Sequence, residues 1–329
     1  MALLKRSQGA RPEGVNLFFA SDIHGSDVCW RKFIAAARFY EADTLILGGD
    51  FTGKLVVPVV DQGGGRFQAH FLGKDHELVR DDLPEFNRRI ADAGFYSVEM
   101  GPDRLSELES DPEGITSIFE ELMTSRLIEW IALARERLAG TGVRVLTAPA
   151  NDDPYFIDGV IASHGGDVFV NVEDQVVELA PGHEMISSGY TNRTPWDTPR
   201  EFDEDEIKAH VDQMVTRLSD VESAVFNLHP PPFGTNLDPA PKLNDDLEVV
   251  TSTGATVMEH VGSKAVLAAI TEHQPLISLH GHIHESAGQV RIGRTIAINP
   301  GSEYGEGILK GALVRIGGGR VHSYQATSG

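Results

Sequence analysis

An α/β fold is predicted by three observations. Apolar runs of strand length alternate with helical patterns along most of the chain. Five of these runs end in aspartate, asparagine or histidine. Beyond residue 286 the texture changes to short β segments separated by glycine.

The first run, VNLFFA (15–20), has the length and continuous apolar character of a buried strand, and the pattern over 27–41 (DVCWRKFIAAARFYE) is an amphipathic helix. TLILGG (44–49), VRVLTA (143–148), AVFNLH (224–229) and PLISLH (275–280) repeat the strand signature. Helices are predicted over 115–139, 203–218 and 263–272. The segments AGQVRIG, TIAINPGS, ILKGALVRIGGG and RVHSYQA read as hairpin strands.

Two stretches interrupt this order. Residues 54–112 contain KLVVPVV and RFQAHFLG joined by DQGGG, a hairpin signal, followed by short helices. Residues 231–262 are rich in Pro, Asp and Thr and read as a long loop, a type usually tied to function. Neither has the size of an independent domain, so a single domain over 1–329 is expected, with a loose leader over 1–14.

Composition narrows the function classes. With 329 residues, 41% hydrophobic and 23% charged, the chain has ordinary globular make-up. A net charge of −21 repels polyanions, so non-specific nucleic-acid binding is not expected. No apolar stretch approaches the ~20 residues of a membrane helix, and the N-terminus lacks the apolar core of a secretory signal. The single cysteine, Cys29, excludes an intramolecular disulfide and makes cytoplasm the default location. Its place in a helical apolar pattern marks it as a buried small hydrophobe. The 55–72 hairpin is read as a lid, a dimerisation element or decoration, which leaves a homo-oligomer open.

The polar strand ends carry the chemistry. Strand one runs into Asp22-Ile23-His24, strand two into Gly49-Asp50 and strand three into Asn151-Asp152-Asp153. Strand four ends at His229, and strand five in His280-Gly281-His282-Ile283-His284. In open α/β sheets ligands bind beyond the carboxyl ends of strands. A single Asp or Asn after a strand is commonly a cap or turn; five in succession point to a site. Imidazole, carboxylate and amide donors without thiolate suit Mn first, with Fe, Zn, Ni or Co as alternatives, over Ca or Mg. Asp22, His24, Asp50, Asn151, His229, His282 and His284 are too many for one open catalytic ion. Two divalent ions about 3.5–4 Å apart, sharing one carboxylate, match the count.

This pattern resembles the calcineurin-like metallophosphoesterase superfamily, whose blocks D-x-H, G-D-x-x-D, G-N-H-[DE], H and G-H-x-H follow in the same order. NPGS (299–302) is also common in prokaryotic members, and the likeness runs from residue 15 to about 325. The resemblance implies a four-layer αββα sandwich with Asp22, His24 and His284 on one metal. Asn151, His229 and His282 would hold the other, with Asp50 bridging. It implies in-line attack on phosphorus by a metal-bridging hydroxide. His280 is expected to support the site from within its strand.

Two departures stand out. Gly53 replaces the last Asp of G-D-x-x-D, at a position that is not a direct ligand. Asp152 stands where the superfamily has a histidine that contacts phosphate and protonates the leaving oxygen. Asp152 and Asp50 are therefore the expected catalytic carboxylates, and an ionised Asp152 should disfavour phosphomonoester dianions relative to diesters. The leading expectation is a phosphoester hydrolase acting on small diesters or nucleotides. A catalytically weak metal-binding scaffold of the same fold is the alternative, as is a nuclease. Arg193, Trp196 and Arg200, in a polar stretch, are read as a solvated loop, with a phosphate clamp as the second reading.

Overall fold

All five predicted buried strands form, at Val15–Ala20, Thr44–Leu47, Arg144–Thr147, Val225–Leu228 and Ile277–Leu279. The computed structural model describes residues 14–108 and 110–329, so the leader lies, apart from Gly14, outside the described residues. The five strands divide between two six-stranded sheets. The first runs in the order Arg320–Ser328, Lys310–Gly317, Val15–Ala20, Thr44–Leu47, Arg144–Thr147 and Phe169–Asn171. The second runs Gly288–Ile292, Thr295–Asn299, Ile277–Leu279, Val225–Leu228, His183–Ser188 and Val176–Ala180. Central neighbours pair in parallel, and the C-terminal hairpins close one edge of each sheet in antiparallel fashion.

Period-two alternation sorts the side chains into layers. Leu17, Phe19, Ile46 and Leu146 from the first sheet meet Met185, Val225, Ile277 and Leu279 from the second. On the other face of the first sheet, Phe18, Leu45 and Val145 pack on Trp30 and Phe33 of α1 (Asp27–Phe39), Trp130 of α4 (Pro112–Leu138) and Ile157 of α5 (Phe156–His164). Ile186, Phe226 and Leu228 of the second sheet meet Ile207 and Val211 of α6 (Glu204–Val215) and Val266 and Ile270 of α7 (Lys264–His273). The result is the expected αββα sandwich. Each such side chain contributes about 1.5–3 kcal/mol on burial, which offsets the entropy of ordering these layers.

Helix α1 shows how local signals place one layer. Ser26 caps it by accepting from the Cys29 N–H, and Trp30 stacks on Trp130 at 5.0 Å. Cys29 is fully buried beneath, as its sequence context predicts. Among the described residues no helix is long and apolar enough to cross a membrane.

Both interrupting stretches are more ordered than predicted. The hairpin forms at Val56–Gly63 and Arg66–Phe71, but Lys74–Val79 and Tyr96–Met100 extend it to a four-stranded sheet. With α2 (Leu83–Asp92) it encloses its own core of Val59, Phe67, Phe71, Phe86 and Ile90. KDHELV escaped detection because it is an exposed edge with no apolar face. Helix α3 (Pro102–Leu108) leads on to α4. Residues 231–262 carry two short antiparallel pairs, Pro239–Pro241 with Met258–His260 and Thr251–Ser252 with Ala255–Thr256. Buried Asp238 organises them by accepting from the Gly234, Thr235 and Gly262 N–H groups and from His260 Nδ1.

Candidate metal centre

The carboxyl ends of the five strands converge, and six of the seven expected ligands, all but Asn151, fall into overlapping donor sets there. Donor atoms of Asp22, His24 and His284 lie within 4.8 Å of one another, as do those of Asp50, His229 and His282. A third overlapping set is His24, Asp50 and Asp152. The sets adjoin, since His229 Nε2 is 3.2 Å from Asp50 Oδ2 and 3.7 Å from Asp22 Oδ1.

Several of the ligands are aimed by neighbours. His229 Nδ1 donates to the Gly48 carbonyl at 2.9 Å, which fixes the ring and turns Nε2 toward the carboxylates. Asn151 Nδ2 donates to Thr198 Oγ1 at 3.1 Å, and Thr198 donates in turn to Glu201. The amide oxygen of Asn151 is left buried without a partner, a costly state unless a cation completes it. Asp22 accepts the His282 backbone N–H at 3.0 Å. Gly281 is what permits this approach, because a Cβ there would sit 2.3 Å from Asp22 Oδ2. The NPGS segment braces the same loop: Ser302 donates to Asp22 O at 2.6 Å and Asn299 to Ile283 O at 2.9 Å. His280, fully buried, donates through Nδ1 to the Leu228 and Pro230 carbonyls. It steadies the turn that carries His229 and lies outside both donor sets, in line with the expected supporting role.

Four of the expected ligands also carry backbone strain. Asp22, His24, Asp50 and His282 hold φ of 57°, 37°, 50° and 67°. Non-glycine residues rarely occupy this left-handed region, which costs on the order of 1 kcal/mol or more each and is typical of sites that over-determine geometry.

The electrostatics of the site suit a cation. Asp22 and Asp50 lie nearest to imidazoles, and the Lys54 ammonium stands farther out on Asp152. Burial pushes Asp50 up to about 7. For His229 burial acts downward, yet the Asp50 and Asp22 carboxylates outweigh it and lift the ring to about 9. Burial pulls His282 down to about 3, so that ring is a neutral donor at physiological pH. Without metal, the Asp50–His229 pair therefore retains a proton that an unfolded chain would release. The native state binds more protons, so stability falls as pH rises. For His229 the gain is complete below its ordinary value of about 6.5 and is lost as pH climbs through about 9. Metal-stripped protein should thus melt lower at pH 9 than at pH 6.5, while manganese addition at pH 7.5 should release about one proton per chain. Calorimetry in buffers of different ionisation enthalpy measures that proton directly; zero release would contradict the arrangement.

Several residues at the site carried no sequence signal. Lys54 forms an ion pair with Asp152, whose carboxylate stands 4.0 Å from His24 Nδ1. Tyr304 packs its ring 4.8 Å from that of His24. Thr198 and Glu201 form the relay behind Asn151. Arg200 is neither solvated nor a phosphate clamp: it is fully buried, donating to the Asp153 and Pro154 carbonyls and pairing with Asp158. Arg193 is exposed and pairs with Asp203, and Trp196 is exposed.

No family model matches the sequence. An uncharacterized protein of Methanocaldococcus jannaschii is 30% identical over 129 residues, covering 39% of this chain and 52% of that protein. The alignment thus spans about half the length of that relative. One solved structure aligns over 95% of this chain and 98% of its own at 15% identity, with a TM-score of 0.55. TT1561 of Thermus thermophilus aligns over 96% and 98% at 12% identity, with a TM-score of 0.51. At such identities the likeness establishes the fold. In that fold the five polar strand ends read from the sequence lie in order along the carboxyl edge of the sheets.

Proposed function

We propose that the chain is a metal-dependent phosphoester hydrolase with a dinuclear centre, acting on diesters or nucleotides in preference to monoesters. The observation that carries this reading is the pair of adjoining imidazole–carboxylate sets at the strand ends, with buried donor atoms left unpartnered between them. Asp22, His24 and His284 would hold one cation and Asn151, His229 and His282 the other, with Asp50 shared. The nitrogen and oxygen donors fit manganese, iron, zinc, nickel or cobalt. Bound there, two such cations would supply an acidified water and neutralise charge on phosphoryl oxygens. The chain's own part is to hold these donors in place before substrate arrives: Gly48 orients His229, Thr198 orients Asn151, and Ser302 and Asn299 hold the His282–His284 turn.

The substrate preference follows from charge. Lys54 and Asp152 sum to zero, whereas an imidazolium in place of Asp152 would leave the same mouth two charges more positive. A monoester dianion loses more from that difference than a diester monoanion does. Metal analysis of purified protein, joined to turnover of small mono- and diesters with added manganese, tests both parts. About two metals per chain and a kcat/KM for diesters about tenfold or more above that for monoesters are expected. Fewer than two metals together with no turnover on any ester would sink the hydrolase reading, and parity between mono- and diesters would sink the preference.

A further inference from the structure

We infer that Lys54 is the cation that contacts the substrate's phosphoryl oxygens, with Asp152 as its positioning residue, a division of labour that takes over the place of one histidine. The inference rests on the hydrolase reading above. Lys54 lies four residues beyond Asp50 in GDFTGK, where the chain leaves the metal loop for the four-stranded sheet. That sheet pins the backbone on both sides of it. The Gly53 N–H donates to Tyr96 Oη at 3.0 Å, and the Tyr96 N–H donates to the Leu55 carbonyl at 2.9 Å. Gly53 is the residue that departs from the superfamily block, and any side chain there would collide, because a Cβ would lie 2.4 Å from the Gly94 carbonyl. The departure and the lysine thus belong to one docking arrangement.

Asp152 is fixed in turn. Its backbone N–H donates to Asp50 Oδ1 at 2.9 Å, and its carboxylate pairs with the Lys54 ammonium. The ammonium therefore stands beside the ligand cluster with its side chain 45% exposed, reachable from solvent. An ammonium carries three donors, so with Asp152 as partner it still has N–H groups to offer an oxyanion. Lysine serves well in this role as a compact point charge on a flexible stem. Nearby arginines are engaged elsewhere: Arg200 in the buried Asp153–Asp158 network, and Arg126 on the Gly25 carbonyl and over the Tyr96 ring.

The test compares full-length, manganese-loaded native protein with Lys54→Met, Lys54→Arg, Asp152→Asn and the Lys54→Met/Asp152→Asn double variant. Binding of inorganic phosphate is read by calorimetry at fixed salt, and diester kinetics alongside. Lys54→Met should weaken phosphate binding by about tenfold or more and raise KM by a similar factor, with kcat changed by less than about threefold. Lys54→Arg should stay within about threefold of native. Asp152→Asn should raise KM by about fivefold in the native background, where the lost positioning of Lys54 outweighs the relieved repulsion of the substrate anion, and should not raise it when residue 54 is already methionine. Phosphate bound by Lys54→Met within about twofold of native would overturn the inference and leave the hydrolase reading standing. An undiminished Asp152→Asn effect in the Lys54→Met background would overturn the positioning role. If the native protein cleaves no ester, the hydrolase reading falls, and the phosphate titrations still decide the case for Lys54.

Discussion

Asp50→Ala should lower ester turnover by roughly a thousandfold or more and bring metal content below two per chain. The Asp50 carboxylate faces His229 Nε2 at 3.2 Å, accepts the Asp152 N–H at 2.9 Å, and is common to two of the three donor sets. Its removal strips the shared charge and frees Asp152, so both halves of the site lose register. Asp50→Asn separates these effects, because it keeps the shape and discards the charge. Thermal melts of both variants would show whether the fold survives. An Asp50→Ala protein that retained two metals and native turnover would refute the shared-ligand assignment.

Asp153→Ala is expected to cost about 3 kcal/mol of stability, with loss of site geometry as a consequence. This carboxylate is fully buried and touches no expected metal position. It accepts from Thr52 N at 2.9 Å, Thr52 Oγ1 at 2.7 Å and Ala150 N at 2.9 Å, and more weakly from Phe51 N. The loop after the second strand is thereby tied to the loop after the third. Burial raises the Asp153 carboxyl, and the donated hydrogen bonds counter that rise. Alanine would orphan several buried donors at about 1–3 kcal/mol each, with partial relief from water. Urea denaturation gives the value from the shift in midpoint. A loss below about 1 kcal/mol would show that the loops hold each other without this brace.

What could be read from sequence follows from how each feature is encoded. Strands buried on both faces are written as unbroken apolar runs, so VNLFFA and TLILGG announce themselves, and the polar residues after them mark where the site gathers. The strand His183–Ser188 was missed because four of the six residues of HEMISS are polar, although the fold buries most of it and its serines lie against the neighbouring strand Val225–Leu228. The four-stranded sheet was half read, since its hairpin alternates cleanly while its edge strand does not. Lys54 could not be read at all. Its meaning depends on Asp152, which only the tertiary fold brings alongside, and a lysine after a glycine is otherwise an ordinary surface residue. Arg200 failed for the opposite reason. It sits in a polar segment that reads as solvated, yet three carbonyl and carboxylate partners draw it inward.

The bond from the His282 backbone to Asp22 closes a loop of 260 residues. During synthesis Asp22, His24 and Asp50 emerge early, when the turn bearing His282 and His284 has not yet been made. Ser302 and Asn299, which hold that turn, come later still. A cation caught by the nascent chain would therefore meet an incomplete and poorly selective set of donors. Contacts of such long range also form late in folding. On the proposed reading, the choice of metal would accordingly be made by the finished protein, against whatever ions its surroundings supply at that moment, so a metal found after expression would report on the host and growth medium as much as on the site.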